Sequence, residues 1–269
     1  MLKVKPILSR DNQKIKHASK LKHKKFRNQE QAFLIEGPKM LEEALLKRPE
    51  SVLRVFVDQN KEQAYREYTE KYNDLEWYIM ESKLIEYISD TDTPQGIVAV
   101  IRQPSCSLDE LMSGANLLLL LDQISDPGNL GTIIRSAWAF EVDGILLTRE
   151  CVDPYSPKVV RATMGGIFNV PIISDFTADD IEPIKTEGFQ VMCSSLEANR
   201  SCYALDFGAK SMVVIGSESR GVSSEVRSQC DTFFKIPTNP QVDSLNAAVA
   251  CAIIINEAWK QKTGCSLSE

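Results

Sequence analysis

The chain has 269 residues, 43% of them hydrophobic and 25% charged, with 13 Gly and 12 Pro. That length supports one large or two modest domains with a real core, and the composition excludes wholesale disorder and collagen-like repeats. The net charge of −6 argues on its face against a nucleic-acid binder, yet it averages two regions. Residues 1–27 hold ten Lys/Arg against one acid, Asp11, for a net of +9, while the other 242 residues carry −15.

The basic block comes first: Lys3, Lys5, Arg10, Lys14, Lys16, Lys20, Lys22, Lys24, Lys25 and Arg27. It has the form of an N-terminal arm that meets phosphates, or of a solvated, partly disordered terminus. Lys dominates over Arg and Ser, unlike a mitochondrial transit peptide. Strand-like and helical patterns then alternate, with strands at 33–37, 52–57, 77–80 and 96–101 and helices at 39–47, 62–71 and 82–88. This is a small α/β unit. A linker follows around 103–107 and 113–114, rich in Pro, Ser and Gly. Beyond it, strands are expected at 116–122, 144–148, 170–173, 190–194, 211–216 and 233–236, with helices at 129–140, 157–165, 178–186, 223–229 and 243–261. The near-continuous apolar strands suit a parallel sheet covered on both faces. Two α/β domains result, 1–104 and 114–269.

Several chemistries are excluded. There is no secretory h-region, and the longest apolar run is too short to span a bilayer, so a cytoplasmic protein is expected. The seven cysteines (106, 151, 193, 202, 230, 251, 265) are odd in number and never spaced C-x-x-C, which suits packed thiols better than disulfides or zinc. Both histidines, His17 and His23, lie in the basic block. The body therefore offers no histidine base, no Ser-His-Asp triad and no H-E-x-x-H metal site.

In open α/β sheets, ligands bind at the carboxyl ends of the strands. Three such ends carry unusual residues. After 116–122, Pro127-Gly128 turns the chain, Asn129 is placed to cap a helix, and Arg135 follows on that helix. Arg135 has the planar fork that suits a phosphate or carboxylate; its alternative is an ordinary surface arginine. After 211–216, Gly216 and Gly221 bracket Glu218 and Arg220, where glycines let backbone approach a ligand closely or simply make a turn. Neither G-x-G-x-x-G nor G-x-x-x-x-G-K-[ST] occurs, which speaks against a nucleotide-dependent oxidoreductase or a P-loop. After 233–236 come Pro237, then Ser244, Leu245 and Asn246 at a helix start, fit either for capping or for holding a polar ligand.

Taken in this order, N-x-G-x-x-x-R-[ST]-A, G-x-E-x-x-G and I-P-(x)6-S-L-N closely resemble the SpoU (TrmH-type) RNA 2′-O-ribose methyltransferases of the SPOUT superfamily. The matching residues are Asn129, Gly131, Arg135 and Ala137; Gly216, Glu218 and Gly221; and Ile236, Pro237, Ser244, Leu245 and Asn246. Ser156-Pro-Lys158, Arg161, Met164-Gly-Gly166 and Val170-Pro171 fit as well. The segment before 104 looks like the ribosomal-protein-like substrate-binding domain that many members carry. Ala247-Ala248 departs from the commoner Val-Ser, a change expected to affect packing alone.

The resemblance implies an α/β parallel-sheet domain tied in a trefoil knot, a homodimer, S-adenosylmethionine as cofactor, and no metal. Gly216, Gly221, Ile236, Ser244, Leu245 and Asn246 would hold the cofactor, the glycines by letting backbone approach it. Arg135 would hold the target phosphate and ease loss of the ribose hydroxyl proton. Asn129 would orient Arg135 or the ribose, Glu218 would hold the loop or a neighbouring Asn or Arg, and Ser244 and Asn246 would support the cofactor and active loop. The substrate would be structured RNA, ribosomal RNA in preference to transfer RNA. A non-catalytic RNA-binding protein is the rival reading, but it would not need Asn129, Arg135, Glu218 and Asn246 together.

Overall fold

The computed structural model describes residues 4–242 and 244–264; Lys3, Asp243 and Cys265 lie outside the described residues. The chain forms two compact units, the first from Met1–Pro104 with Asp153–Phe168, the second from Ser105–Val152 with Asn169–Glu269.

The first unit begins with β1 (Val4–Ile7), α1 (Gln13–Lys20) and α2 (Lys24–Glu30). There follow β2 (Ala32–Glu36), α3 (Pro38–Lys47), β3 (Val52–Asp58) and α4 (Arg66–Lys71). β4 (Trp77–Met80), α5 (Ser82–Ile88) and β5 (Ile97–Arg102) complete this part. The five strands lie in the order β1-β4-β3-β5-β2. β4 runs parallel to β1 and β3, while β5 is antiparallel to β3 and β2.

Here the expectation of an N-terminal arm fails. β1 is an edge strand of the sheet, and Ile7, Ile15, Ala18 and Leu21 are at most 2% exposed in one core cluster with Phe56, Tyr78 and Val100. Apolar residues at 15, 18 and 21 give α1 a buried stripe, so the lysines between them occupy its outer face. Arg27 is likewise no phosphate ligand. It is 3% exposed, donating from Nε to Asp153 Oδ2 (2.8 Å) and from Nη1 to the carbonyls of Leu21 and Lys22.

In the second unit, α6 (Leu108–Met112) precedes β6 (Leu117–Asp122) and α7 (Pro127–Ala139). The segment expected to be a plain linker thus holds a short helix. A Ser107–Glu110 capping box starts it, and Leu111 and Met112 anchor it in the core. β7 (Gly144–Thr148) leads into α8 (Pro157–Ala162), which belongs to the first unit; the chain returns at β8 (Ile172–Phe176). Then come α9 (Ile181–Thr186), β9 (Gln190–Ser194), β10 (Ser211–Gly216), α10 (Ser224–Ser228), β11 (Thr232–Phe234) and α11 (Ala247–Thr263). The strand order is β11-β9-β10-β6-β7-β8, every pair parallel. Leu118, Leu120 and Val214 face a cluster shared with α6, α9 and α10, while their neighbours Leu119 and Val213 are equally buried. Burial on both faces is why these strands read as unbroken apolar runs.

The excursion between β7 and β8 docks within the first unit. Tyr155 and Phe168 pack on Phe33, with ring centroids 5.0 and 6.3 Å apart. Arg161 donates to Asp90 at 3.1 Å. The Ser156-Pro-Lys158 and Met164-Gly-Gly166 motifs both fall in this excursion.

Candidate active site

The carboxyl ends of β9, β10 and β11 open on a cavity of about 400 Å³, a size suited to a small organic ligand. Of the residues expected to hold a cofactor, Gly216, Gly221, Ile236, Ser244 and Leu245 line it, and Asn246 does not. Glu218 lines it too.

Both glycines serve the turn itself. A Cβ on Gly216 would lie 2.2 Å from the carbonyl carbon of Gly221, so its bareness lets the 216–222 loop close on itself. Ser217 and Gly221 exchange backbone hydrogen bonds of 3.1 and 2.9 Å across that loop. Gly221 has φ +68° with nothing near its missing Cβ, so the left-handed backbone is what it supplies.

Three distant segments meet at Glu218. Its Oε1 accepts from Asn129 Nδ2 (3.1 Å), Asn246 Nδ2 (2.6 Å) and the backbone N–H of Ala247 (2.8 Å). Asn246 Nδ2 also donates to Asn129 Oδ1 at 2.9 Å. Asn246 Oδ1 accepts from the N–H groups of Ala248 and Val249, capping α11. That cap fixes which end of the amide faces Glu218, and the Asn129 amide is oriented in turn. The carboxylate sits at the positive end of a 17-residue helix, which favours its charge. Asn129 itself is no cap. Asp126 caps α7, accepting from Asn129 N at 2.8 Å, because Pro127 takes the first helical position.

Arg135 lies on α7, exposed, with no hydrogen bond or ion pair to another described residue. The structure therefore joins Asn129, Glu218 and Asn246 in one network, puts Ser244 on the cavity wall, and leaves the Arg135 guanidinium exposed.

Two residues were not singled out by the sequence. Asp122, 1% exposed at the end of β6, accepts from Thr148 Oγ1 (2.9 Å) and from Ser223 N (2.7 Å). Gly216 pairs with Asp122 in register, so Asp122 holds one flank of the Glu218 loop through its backbone and the other, at Ser223, through its carboxylate. An acid ending a five-leucine run was the available signal. Arg227, on the cavity wall, is held by Ser195 Oγ (3.2 Å) and Glu197 (3.3 Å) and lies over the Phe233 ring. Within a short amphipathic helix it looks like any surface arginine, so no sequence signal marked it.

S-adenosylmethionine joins an adenosine to a zwitterionic amino acid. The cavity matches both parts, with apolar wall from Ile215, Ile236 and Leu245 and opposite charges on Glu197 and Arg227. Among the described residues, no group of three or more His, Cys, Asp or Glu is placed to hold a metal ion. Cys151, Cys193, Cys202 and Cys251 are buried.

Comparison with known proteins agrees with this architecture. Residues 116–256 match the SpoU rRNA Methylase family, and residues 12–99 match an MRM3-like substrate binding domain. The chain belongs to the SpoU rRNA methylase family. It is 32% identical to the 23S rRNA (guanosine(2553)-2′-O)-methyltransferase RlmP of Bacillus subtilis, over 94% of this chain and 98% of that protein. It is 30% identical to the mouse mitochondrial rRNA methyltransferase 3, over 90% of this chain and 70% of that one. The crystal structure of an AdoMet-bound rRNA methyltransferase from Sinorhizobium meliloti superposes with a TM-score of 0.83 at 30% identity, over 95% and 97% of the two chains.

Proposed function

We propose that the protein methylates a ribose 2′-hydroxyl of ribosomal RNA, with S-adenosylmethionine as methyl donor. The observation that carries this reading is the Glu218–Asn129–Asn246 network at the wall of a ligand-sized cavity. The names of the three relatives above, each an rRNA methyltransferase, support the substrate class.

The cofactor supplies a methyl group already activated on a sulfonium. Ile236, Leu245 and the 216–221 backbone would hold its adenosine, and Arg227 and Glu197 its charged end. What remains for the protein is orientation and loss of one proton. Glu218 holds the starts of α7 and α11 together through Asn129 and Asn246, so the cavity wall and Arg135 keep a fixed relation. A guanidinium keeps its proton in water and is a poor base. Arg135 therefore acts by gripping the phosphate beside the target ribose, which stabilises the developing alkoxide while that phosphate takes the hydroxyl proton.

The domain 1–104 would hold the RNA and 114–269, apart from the 153–168 excursion, would perform the transfer. The same reading makes the protein a cytoplasmic homodimer with a knotted catalytic domain. On α11, Val249 is 49% exposed and Ile253 half-buried, an apolar face fit for a second copy. Sedimentation equilibrium giving twice the chain mass supports the dimer, and a monomer refutes it. Among the described residues, no helix is long and apolar enough to cross a membrane.

The test is methyl transfer from labelled S-adenosylmethionine to total rRNA, followed by mapping of 2′-O-methyl positions. Arg135→Ala should abolish transfer while calorimetry shows cofactor affinity within about twofold of wild type. Lost cofactor binding in the folded variant would contradict that role for Arg135.

A further inference from the structure

The turn between α1 and α2 gathers Lys20, Lys22, His23, Lys24 and Lys25 within six residues. Lys20, His23, Lys24 and Lys25 are exposed, and none forms an ion pair with another described residue. The acids nearest in sequence are engaged elsewhere: Asp11 with Lys16 at 2.8 Å and Glu30 with His17 at 3.7 Å. The corner itself is firmly built. His23 N donates to Lys20 O (3.0 Å), Phe26 N donates to His23 O (3.1 Å), and the buried Arg27 guanidinium holds the carbonyls of Leu21 and Lys22.

Stability gives no reason for this charge. Two lysines in the first turn of α2, with no acid there, oppose the helix dipole. Like cations repel one another, and folding brings Lys24 and Lys25 no ion-pair partner among the described residues, while Lys20 lies 5.4 Å from the centre of the Phe26 ring.

One edge of the patch is aromatic. Lys22 Nζ donates to the carbonyl of Tyr87 at 2.7 Å, and Tyr87 is 38% exposed near the end of α5. The Arg10 guanidinium lies 4.8 Å from the centre of its ring. Glu86, the preceding residue, is exposed and acidic, so this end is a poor phosphate site while the ring stays open to a neutral base. A row of unpaired cations leading to an exposed, cation-faced ring is the chemistry that binds single-stranded RNA, with phosphates neutralised and a base stacked. A duplex brings phosphates but no free base face. An acidic peptide would leave the ring unused.

We propose that the α1–α2 corner and Tyr87 form a contact for a single-stranded segment of the RNA substrate. Phosphates lie on Lys20, Lys24 and Lys25, and an unpaired base stacks at the Tyr87–Arg10 pair. This rests on the RNA-methylation reading and adds the surface and the strandedness of the RNA.

The probes are a fluorescein-labelled 12-nucleotide oligouridine and a 12-base-pair RNA duplex, titrated with the full chain by anisotropy across a salt series. For oligouridine, the Lys20→Ala/Lys24→Ala/Lys25→Ala variant should lower the slope of log affinity against log salt by about 2, at roughly 0.7 per phosphate contact. Tyr87→Ala should weaken oligouridine binding about fivefold or more with the slope unchanged, should leave duplex binding intact, and should be rescued by Tyr87→Phe. Four outcomes overturn the proposal: no oligouridine binding by wild type, folded variants with wild-type affinity and slope, equal loss on duplex and single strand for Tyr87→Ala, or no rescue by Phe. Methyl transfer to rRNA separates the two readings. Transfer with an unchanged KM for RNA in the patch variants sinks the surface and spares the enzyme. A wild type that binds oligouridine through this patch but transfers no methyl sinks the enzyme and spares the surface.

Discussion

Glu218 Oε1 takes three N–H donors from α7, from the side chain that caps α11 and from the α11 backbone, so its worth lies in alignment more than in stability. The residue is exposed, and water can replace it as an acceptor. Glu218→Ala should therefore cost only about 1 kcal/mol of folding free energy, while the transfer rate drops roughly a hundredfold through misplacement of the reacting groups. Glu218→Gln keeps a carbonyl acceptor without the charge and should fall between, as single-turnover kinetics would show. His17 supports a second residue-scale prediction. Burial, followed by the nearby Arg54 charge, lowers its pKa below the ordinary 6.5 despite the opposing Glu30, and its Nδ1 is buried without a partner. The folded state thus prefers neutral His17. Its contribution is complete above about pH 6.5, is lost as pH falls toward the depressed folded value, and levels off below it. Denaturant melts across that window should show a smaller acid loss for His17→Gln. These residues also show what a sequence leaves visible. Asn129, Glu218 and Asn246 stood out because each belongs to a spaced motif. Asp122 did not, since one carboxylate after five leucines looks like a strand end until Thr148 and Ser223 arrive beside it.

Among the elements, the loop after β10 is the most demanding. Gly216 would place a Cβ 2.2 Å from backbone that cannot swing away, whereas Gly221 is open in space but needs φ +68°. Gly216→Ala should distort the loop, at about 1–3 kcal/mol, and abolish cofactor binding. Gly221→Ala should cost about 1–2 kcal/mol for the left-handed backbone and weaken cofactor binding less. Calorimetry with S-adenosylmethionine and thermal melts on both variants would rank them. The strands of the second unit were legible because burial on both faces demands unbroken apolar runs. The short helix 108–112 was hidden because its linker-like surroundings masked two buried residues, Leu111 and Met112. Asn129 was misjudged as a cap because Asp126 and Pro127 compete for the same helix start, and proline's fixed φ settles the position.

At the scale of the molecule, the chain leaves the second unit after Val152, contributes Asp153–Phe168 to the first and then returns. The Arg27–Asp153 ion pair fastens that excursion inside the first unit, with both side chains under 10% exposed. Asp153→Ala would strand a buried guanidinium and should destabilise the first unit by about 3–5 kcal/mol. Denaturant unfolding followed by the near-ultraviolet signal of Tyr155 and its neighbours would register the loss.

The sequence by itself determined the alternating α/β pattern, the histidine-free body and the three motifs that define the family, because strand burial and loop chemistry are written in local spacing. It also located the excess of positive charge. Only the tertiary structure decided that the lysines of residues 4–27 belong to folded elements and not to an arm, that Arg27 is buried, and that Asn129, Glu218 and Asn246 touch. Those facts depend on segments up to 126 residues apart meeting. Such meetings are set by how whole sheets and helices pack, and no local window of sequence contains them.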